Sequence, residues 1–214
     1  MKEGRPRALP RDAESRAVLA VRFAPATVSR WKDVEGLFGA RGACAGCWCM
    51  WWRLPRREWV AGKGEGNRRA LRKLMRDGSI PGIIAYADGK PVGWVALAPR
   101  GEYVRLANAR TLTPIDDRPV WSVSCFFIAR PLRGRGLMTR LIEAAASFAR
   151  KHGATLLEGY PTNPKRKTSD VFLYTGTRGA FARAGFEVAA RPSKAALIMR
   201  RELQTQSRGA RKSV

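Results

Sequence analysis

Residues Arg133 to Met138 read R-G-R-G-L-M, and this short stretch restricts the fold more than any other part of the chain. It follows an apolar run, Trp121 to Ile128, and precedes an amphipathic run, Leu137 to His152. The pattern predicts a strand, a glycine turn and a helix. Such a turn offers free backbone N–H groups and the positive end of a helix dipole to an anion. Because Gly134 and Gly136 have no Cβ, a phosphate can approach this backbone closely.

The residues around the turn narrow the class of anion site. Arg130, Arg133 and Arg135 add cationic donors beside it. The turn contains neither G-x-x-x-x-G-K-[ST], the Walker nucleotide loop, nor G-x-G-x-x-G, the dinucleotide fingerprint. Glycines alone would also fit an ordinary strand-to-helix turn. The sequence therefore favours a phosphate-bearing ligand that is neither a Walker-type nucleotide nor a dinucleotide.

The stretch resembles the acyl-CoA-binding motif, R/Q-x-x-G-x-G/A, of the GNAT superfamily of N-acetyltransferases. Arg133 and Gly136 occupy its first and fourth positions, whereas Met138 departs from the family's Gly or Ala at the sixth. Ile128–Arg133 looks like the family's approach to the turn, and Ala180–Glu187 looks like its late helix ending in Gly-Phe. The resemblance implies a mixed α/β fold, with a central, mostly antiparallel twisted sheet, splayed strands four and five, and flanking helices.

Hydrophobic periodicity and turn residues predict the individual elements. The segment Glu102–Ala107 is predicted as a short helix or a loop, and no repeat is evident. Strands are expected over Ala17–Phe23, Gly82–Ala87, Pro91–Ala98, Val120–Ile128, Ala154–Glu158, Phe186–Ala190 and Ala195–Met199, and helices over Thr27–Phe38, Asn67–Arg76, Leu137–His152 and Gly176–Ala184.

The resemblance also implies the ligands, acetyl-CoA as co-substrate and a primary amine as acceptor. In the family, backbone groups of the splayed fourth strand pair with the pantetheine arm. Here they would come from Phe126, Phe127 and Ile128, and the amide of Phe127 is the candidate for polarising the thioester carbonyl. The pyrophosphate would lie on the amides of Arg133, Gly134, Arg135, Gly136, Leu137 and Met138.

The catalytic acid and base are less clearly marked. Relatives often use a glutamate near strand four, and the carboxylates available here are Glu102, Asp116, Asp117 and Glu158. Glu158 is the chosen base because it lies on predicted strand five beside the splay, although each of the four also fits a surface carboxylate. The tyrosine that protonates the thiolate in relatives corresponds to Phe181. Tyr174, Tyr160 or solvent could replace it, and Tyr174 is the chosen acid.

A segment rich in tryptophan and cysteine, Cys44 to Trp59, is expected to form the acceptor site. Tryptophan faces attract cations, which suits an amine that arrives as an ammonium. The predicted contacts are Trp48, Trp51 and Trp52, and the alternative is that the segment is a plug of the core.

The three cysteines of this segment raise the question of a metal. Cys44, Cys47 and Cys49 have metal-ligand spacing, but a fourth ligand is missing nearby, and the only histidine, His152, lies at a predicted helix end. No metal is therefore expected, and packed or pocket-lining thiols are preferred.

Composition limits the remaining alternatives. The 214 residues predict one domain, 17–202, between basic tails, 1–16 and 203–214. Neither a run of about 20 apolar residues nor a signal peptide is visible, so a cytoplasmic location and no membrane partner are expected. The net charge of +24 would attract polyanions, but no nucleic-acid motif accompanies it, so a nucleic-acid partner is less favoured. Nothing indicates an oligomeric state.

Two other functions remain open. One is a protein or peptide acetyltransferase, and the other is a catalytically silent GNAT-fold module that binds CoA or RNA.

Overall fold

The computed structural model describes residues 20–162, 169–193 and 196–204. The predicted tail 1–16 and residues 205–214 lie outside these ranges, as do parts of the predicted strands Ala17–Phe23 and Ala195–Met199. Leu203, which was assigned to the second tail, is buried and its N–H donates to the carbonyl of Thr155. Among the described helices, none has the length and apolar content needed to cross a membrane.

A seven-stranded sheet forms the centre of the molecule and has the order β1-β2-β3-β4-β5-β7-β6. Neighbouring strands are antiparallel except β4 and β5, which are parallel. The predicted mixed, mostly antiparallel sheet is therefore confirmed. The strands are β1 (Val21–Pro25), β2 (Gly82–Ala87), β3 (Lys90–Pro99), β4 (Trp121–Ile128), β5 (Leu156–Gly159), β6 (Glu187–Ala190) and β7 (Ile198–Glu202).

The structure describes six α-helices. The three longest match predicted segments, Arg178–Arg183 lies within the predicted helix Gly176–Ala184, and Val104–Ala107 lies within the segment predicted as a short helix or a loop. The helix Arg56–Ala61 was not predicted. The six described helices are α1 (Trp31–Phe38), α2 (Arg56–Ala61), α3 (Glu65–Arg76), α4 (Val104–Ala107), α5 (Leu137–Lys151) and α6 (Arg178–Arg183).

The alternation of side chains along each strand builds a main core on each face of the sheet, and a third, smaller cluster includes Tyr103, Leu106 and Tyr160. Ile83 and Ala85 of β2 face a core formed with α5 and α6, whereas Ile84 and Tyr86 face the core formed with α1 and α3. Because β2 is covered on both faces, all its residues are buried and it reads as a continuous apolar run. The sheet is thus a middle layer between two sets of helices.

The sheet opens between β4 and β5. These strands pair only from Trp121 opposite Leu157 to Val123 opposite Gly159, although β4 continues to Ile128. The predicted splay is therefore present, and it leaves the second half of β4 beside a groove.

Candidate active site

The groove at the splay encloses about 680 Å³. One wall is the end of β4, the second is the turn before α5 with the first residues of that helix, and the third is the segment that leads into α6. Eight of the nine predicted cofactor contacts line it, and Arg135 does not. The eight are Phe126, Phe127, Ile128, Arg133, Gly134, Gly136, Leu137 and Met138.

The turn has the geometry of an anion site. Gly134 and Gly136 have φ angles of 73° and 76°, a left-handed conformation that side chains rarely adopt, and a Cβ at either position would meet open space. The first turn of α5 has no side-chain cap and no acidic residue, so its N–H groups face the groove with the positive end of the helix dipole. Arg130, Arg133 and Arg183 also line this groove, and no Asp or Glu is among its described lining residues.

The backbone of β4 corrects one sequence-based assignment. The N–H of Phe126 points away from β3 and donates to the carbonyl of Tyr174 over 2.6 Å. The N–H of Ala129 instead donates to Val92 of β3. Since successive residues of a strand alternate in direction, the amide of Phe127 also points towards β3. Phe127 therefore cannot polarise a carbonyl in the groove, and the groove-facing backbone groups belong to Phe126 and Ile128.

Tyr174 connects the groove to the tryptophan-rich segment. It lines the groove and is 36% exposed. Burial raises the pKa of its phenol to about 12, the neighbouring Cys125 and Cys47 thiols add to the rise, and Arg105 and the Trp51 indole oppose it. The phenol is therefore protonated at neutral pH. By contrast, Phe181 at the family's usual tyrosine position is fully buried and packs against Phe126 and Phe186.

Glu158 has surroundings that do not fit a catalytic base or a surface carboxylate. It is 1% exposed. Its Oε1 accepts from Arg100 at 2.8 Å and from the phenol of Tyr160 at 2.6 Å, and its Oε2 accepts from Arg200 at 2.7 Å. Both carboxylate oxygens are thus already occupied by guanidinium donors, and Oε1 also accepts from a phenol. The geometry instead gives Glu158 a structural role, because its ion pairs connect β5 to β7 and to the segment after β3.

The other candidate carboxylates also lie outside the groove. Glu102 pairs with Arg53 at 2.8 Å, and Asp116 pairs with Arg200 at 2.6 Å. The hydrogen bond from Arg200 lowers the pKa of Asp116. Asp117 is exposed. The described residues of the groove therefore offer no carboxylate to deprotonate an amine.

The sequence left two roles open for the tryptophans, acceptor contact or plug of the core, and the structure assigns them differently. Trp48 is buried, stacks on Trp31 with ring centroids 5.9 Å apart and belongs to the core beneath α1. Its predicted role as an acceptor contact is therefore not supported. Trp51 and Trp52 are half-buried, and the Trp51 ring packs edge-on against Trp59 at 4.8 Å. Trp51 also lies beside Tyr174, so it remains a candidate acceptor contact.

The cysteines do not form one cluster. Cys44 lines the groove, whereas the sulfur of Cys49 lies 3.5 Å from that of Cys125 in the core. All four thiols are free, and burial raises the pKa of Cys47. Among the described residues, no three Cys, His, Asp or Glu side chains are placed to hold a metal ion.

Three contributors to the site were missed by sequence reasoning. Arg183 and Thr177 enter the groove from the region of α6, and Arg105 lies over Trp51 from α4. The basic character of Arg183 and Arg105 is common to much of this chain, so no local signal distinguishes them. Only the long-range packing reveals their positions.

The site can be compared with known proteins. Residues 48–167 match the model of the acetyltransferase (GNAT) family. A solved protein described as a GNAT-family acetyltransferase, from Desulfovibrio desulfuricans, is 17% identical, with 86% of this chain and 100% of that chain covered and a TM-score of 0.51. No curated protein sequence matches this chain.

Two further solved structures have the same overall arrangement. The polyamine N-acetyltransferase of Drosophila melanogaster, which forms N-acetylagmatine, is 14% identical, with 86% and 100% of the two chains covered and a TM-score of 0.52. An agmatine N-acetyltransferase is 15% identical, with 86% and 99% covered and a TM-score of 0.53. At these identities the likeness concerns the fold and not the acceptor.

Proposed function

The chain belongs to the acetyltransferase (GNAT) family, and from this premise we propose that it transfers an acetyl group from acetyl-CoA to a primary amine of a small molecule. The proposed reaction is direct attack within a ternary complex of protein, acetyl-CoA and acceptor. The observation that carries the proposal is the groove at the splay, which combines an open glycine turn, an uncapped helix start and three arginines.

The residues of the groove fit acetyl-CoA. The amides that follow Gly134 and Gly136 and the guanidinium groups of Arg130 and Arg183 suit its phosphates. On the half of β4 that has left β5, the Phe126 N–H and the Ile128 carbonyl are already bonded within the protein, so the Phe126 carbonyl and the Ile128 N–H are the groove-facing groups for an extended amide-containing arm. Bound acetyl-CoA would supply the acetyl group as an activated thioester. The missing Gly or Ala at Met138 does not remove a backbone amide, so this departure is compatible with phosphate binding.

The reaction needs one proton delivered to the leaving thiolate and one removed from the acceptor ammonium. The described groove residues supply a group only for the first. The protonated phenol of Tyr174 can donate a proton at the groove end of β4, where a leaving thiolate needs one. Because the described groove residues include no carboxylate, the acceptor loses its ammonium proton to water. The rate is then expected to rise with pH until the acceptor amine is fully neutral.

A double substitution in the turn tests the proposed function. Gly134→Asp with Gly136→Asp places two negative charges where the phosphates would lie, and Asp tolerates left-handed backbone better than most residues. We expect the calorimetric affinity for acetyl-CoA to fall by at least about tenfold, because charge-assisted hydrogen bonds are lost and repulsion is added.

The matched control is Gly36→Asp with Gly66→Asp. It makes the same change in net charge at two helical positions that are open and outside the groove. The control should bind acetyl-CoA as the unmodified protein does. If both folded double variants bind equally well, the groove is not the cofactor site. If the unmodified protein binds acetyl-CoA but acetylates no amine in a CoA-release screen, the silent-module alternative is favoured.

A further inference from the structure

One face of the Trp51 ring is already covered by the protein. Arg105 of α4 lies over this ring, with its Cζ 3.6 Å from the ring centroid. At this distance the guanidinium is in direct contact with the indole ring, a cation–π arrangement that does not itself satisfy the N–H donors of the guanidinium. The segment therefore presents a cation, rather than a bare aromatic surface, towards Tyr174.

Among the residues that the structure describes, no carboxylate forms an ion pair with Arg105. Its Nη1 is buried, and no acceptor lies within hydrogen-bond distance of it among the residues that the structure describes. Burial lowers the pKa of Arg105, and the neighbouring cation Arg56 lowers it further. A buried donor of a charged group that has no partner is costly, so such a group is satisfied when a ligand brings an acceptor.

The carboxylates of this region are unavailable as partners for a ligand. Glu102 is paired with Arg53, and Glu158 is held between Arg100 and Arg200. Asp116 also contacts Arg200. The described lining of the groove therefore has no carboxylate to bind the second positive charge of a diamine, whereas the Nη1 of Arg105 has no partner among the described residues.

Arg105 lies within electrostatic reach of the reacting end of the groove. Its positive charge opposes the rise in the pKa of Tyr174, and Tyr174 lines the groove and accepts a hydrogen bond from Phe126 of β4 at its carbonyl. We infer that the acceptor is a small amine that also carries a carboxylate, as amino acids do, and that Arg105 binds this carboxylate and selects the acceptor. The inference rests on the proposed acetyltransferase function and names its substrate class.

Matched acceptor pairs provide the test, because an amino acid and its decarboxylated amine differ only in the carboxylate and in the amine pKa that the carboxylate lowers, so rates are compared at equal concentrations of the neutral amine. Suitable pairs are L-arginine with agmatine, L-phenylalanine with phenethylamine and L-tryptophan with tryptamine. We expect the preferred pair to show a kcat/KM at least about tenfold higher for the amino acid, since a bidentate guanidinium–carboxylate pair is among the stronger polar contacts. In Arg105→Gln this preference should disappear through a higher KM for the amino acid, with the amine unaffected.

Two controls separate binding from folding. Arg56→Gln removes an exposed neighbouring cation and should keep the preference. If Arg105→Gln has a lowered melting temperature, Arg105→Lys retains the charge without the planar fork and should show a reduced but measurable preference.

A second measurement does not depend on turnover. The melting temperature of the protein with CoA is compared in the presence of each member of each pair. A larger increase with the amino acids, lost in Arg105→Gln, supports the inference even if no acetylation occurs, and in that case the proposed function alone fails. If amines match or exceed their amino acids in both rate and melting temperature, or if Arg105→Gln affects both members alike, the inference is wrong while the acetyltransferase function stands.

Discussion

At the scale of single residues, Tyr174 is the side chain through which the two halves of the site meet. It borders the cofactor groove on one side and the Trp51–Arg105 stack on the other. Its carbonyl also accepts the hydrogen bond of Phe126. The side chain and the backbone of one residue thus serve different parts of the same site.

We expect Tyr174→Phe to lower kcat by roughly 10²-fold, near the low end for general acid–base catalysis, because a thiolate is a good leaving group even without an acid. Affinity for acetyl-CoA should be unchanged. Because the pKa is about 12, the phenol stays protonated over the usual assay range, so it should cause no alkaline decline of kcat below about pH 11. Steady-state kinetics over a pH series checks both points.

The control for this prediction is Tyr86→Phe. Its hydroxyl donates to Asp33 over 2.6 Å and does not line the groove, so kcat should be unaffected. An equal loss of kcat in the two variants would contradict the assignment of Tyr174 as the acid.

Glu158 is predicted to act on stability. Glu158→Gln leaves Arg100 and Arg200 without their shared negative charge in a buried setting, and breaking a buried ion pair costs about 3–5 kcal/mol of unfolding free energy. Denaturant unfolding should show this loss. Glu202→Gln, which removes an exposed ion pair with Arg118, should cost about 1 kcal/mol or less. A stable Glu158→Gln variant with strongly reduced kcat would instead identify Glu158 as a base.

At the scale of elements, the connection between α1 and α2 is unusual because several of its residues have left-handed backbone. Besides its glycines, Ala43, Ala45, Trp48 and Cys49 have φ between 48° and 67°. Each non-glycine residue in this left-handed conformation costs about 1–2 kcal/mol of folding free energy. The surrounding structure therefore holds this segment in place, and the buried Trp48 and Cys49 are its anchors in the core.

Gly46 is the position in this connection where substitution should be most damaging. It has a φ of 72°, and a Cβ there would collide with the backbone of Gly64 before α3. We expect Gly46→Ala to cost about 1–3 kcal/mol from overpacking in addition to backbone strain. Gly39→Ala is the matched control, because its φ of 60° imposes similar strain but the space beside it is open. Equal melting temperatures for the two variants would show that the close approach is not limiting.

Local patterns predicted the elements that carry strong periodicity, and they failed where distant contacts decide the outcome. The strand Gly82–Ala87 and the start of the helix at Leu137 were predicted correctly, since alternation, turn residues and spacing specify them. The burial of Glu158 between two arginines was not, because its partners lie 58 and 42 residues away. The family resemblance predicted two of the groove walls, the end of β4 and the turn before α5, whereas the wall near α6 and Arg105 were found only from the structure.

At the scale of the whole molecule, all four tyrosines have environments that disfavour ionisation. Burial raises the pKa values of Tyr86 and Tyr174 to about 12, and it also raises those of Tyr103 and Tyr160. The folded-state pKa values therefore exceed the unfolded value near 10. The resulting stabilisation is complete below about pH 10 and is lost as the pH rises through about 12.

Spectrophotometric titration checks this whole-molecule prediction. Tyrosinate absorbance should be nearly absent in the folded protein at pH 10 and should then appear together with unfolding, whereas the protein in denaturant should titrate near pH 10. Unfolding free energy measured over the same range should fall above pH 10. A tyrosine that ionises near pH 10 in the folded protein would contradict the assigned environments.

The three-residue ladder between β4 and β5 also has a mechanical consequence. It joins a four-stranded plate, β1 to β4, to a three-stranded plate made of β5, β7 and β6. Bending of the sheet should concentrate at so short a joint, because every other pair of adjacent strands is longer or lies at an edge. In hydrogen exchange, we therefore expect the Phe126 amide, held only by a loop carbonyl, to exchange faster than the inner amides of β3. The part of the sheet that must admit a ligand is thus the part that deforms with the least resistance.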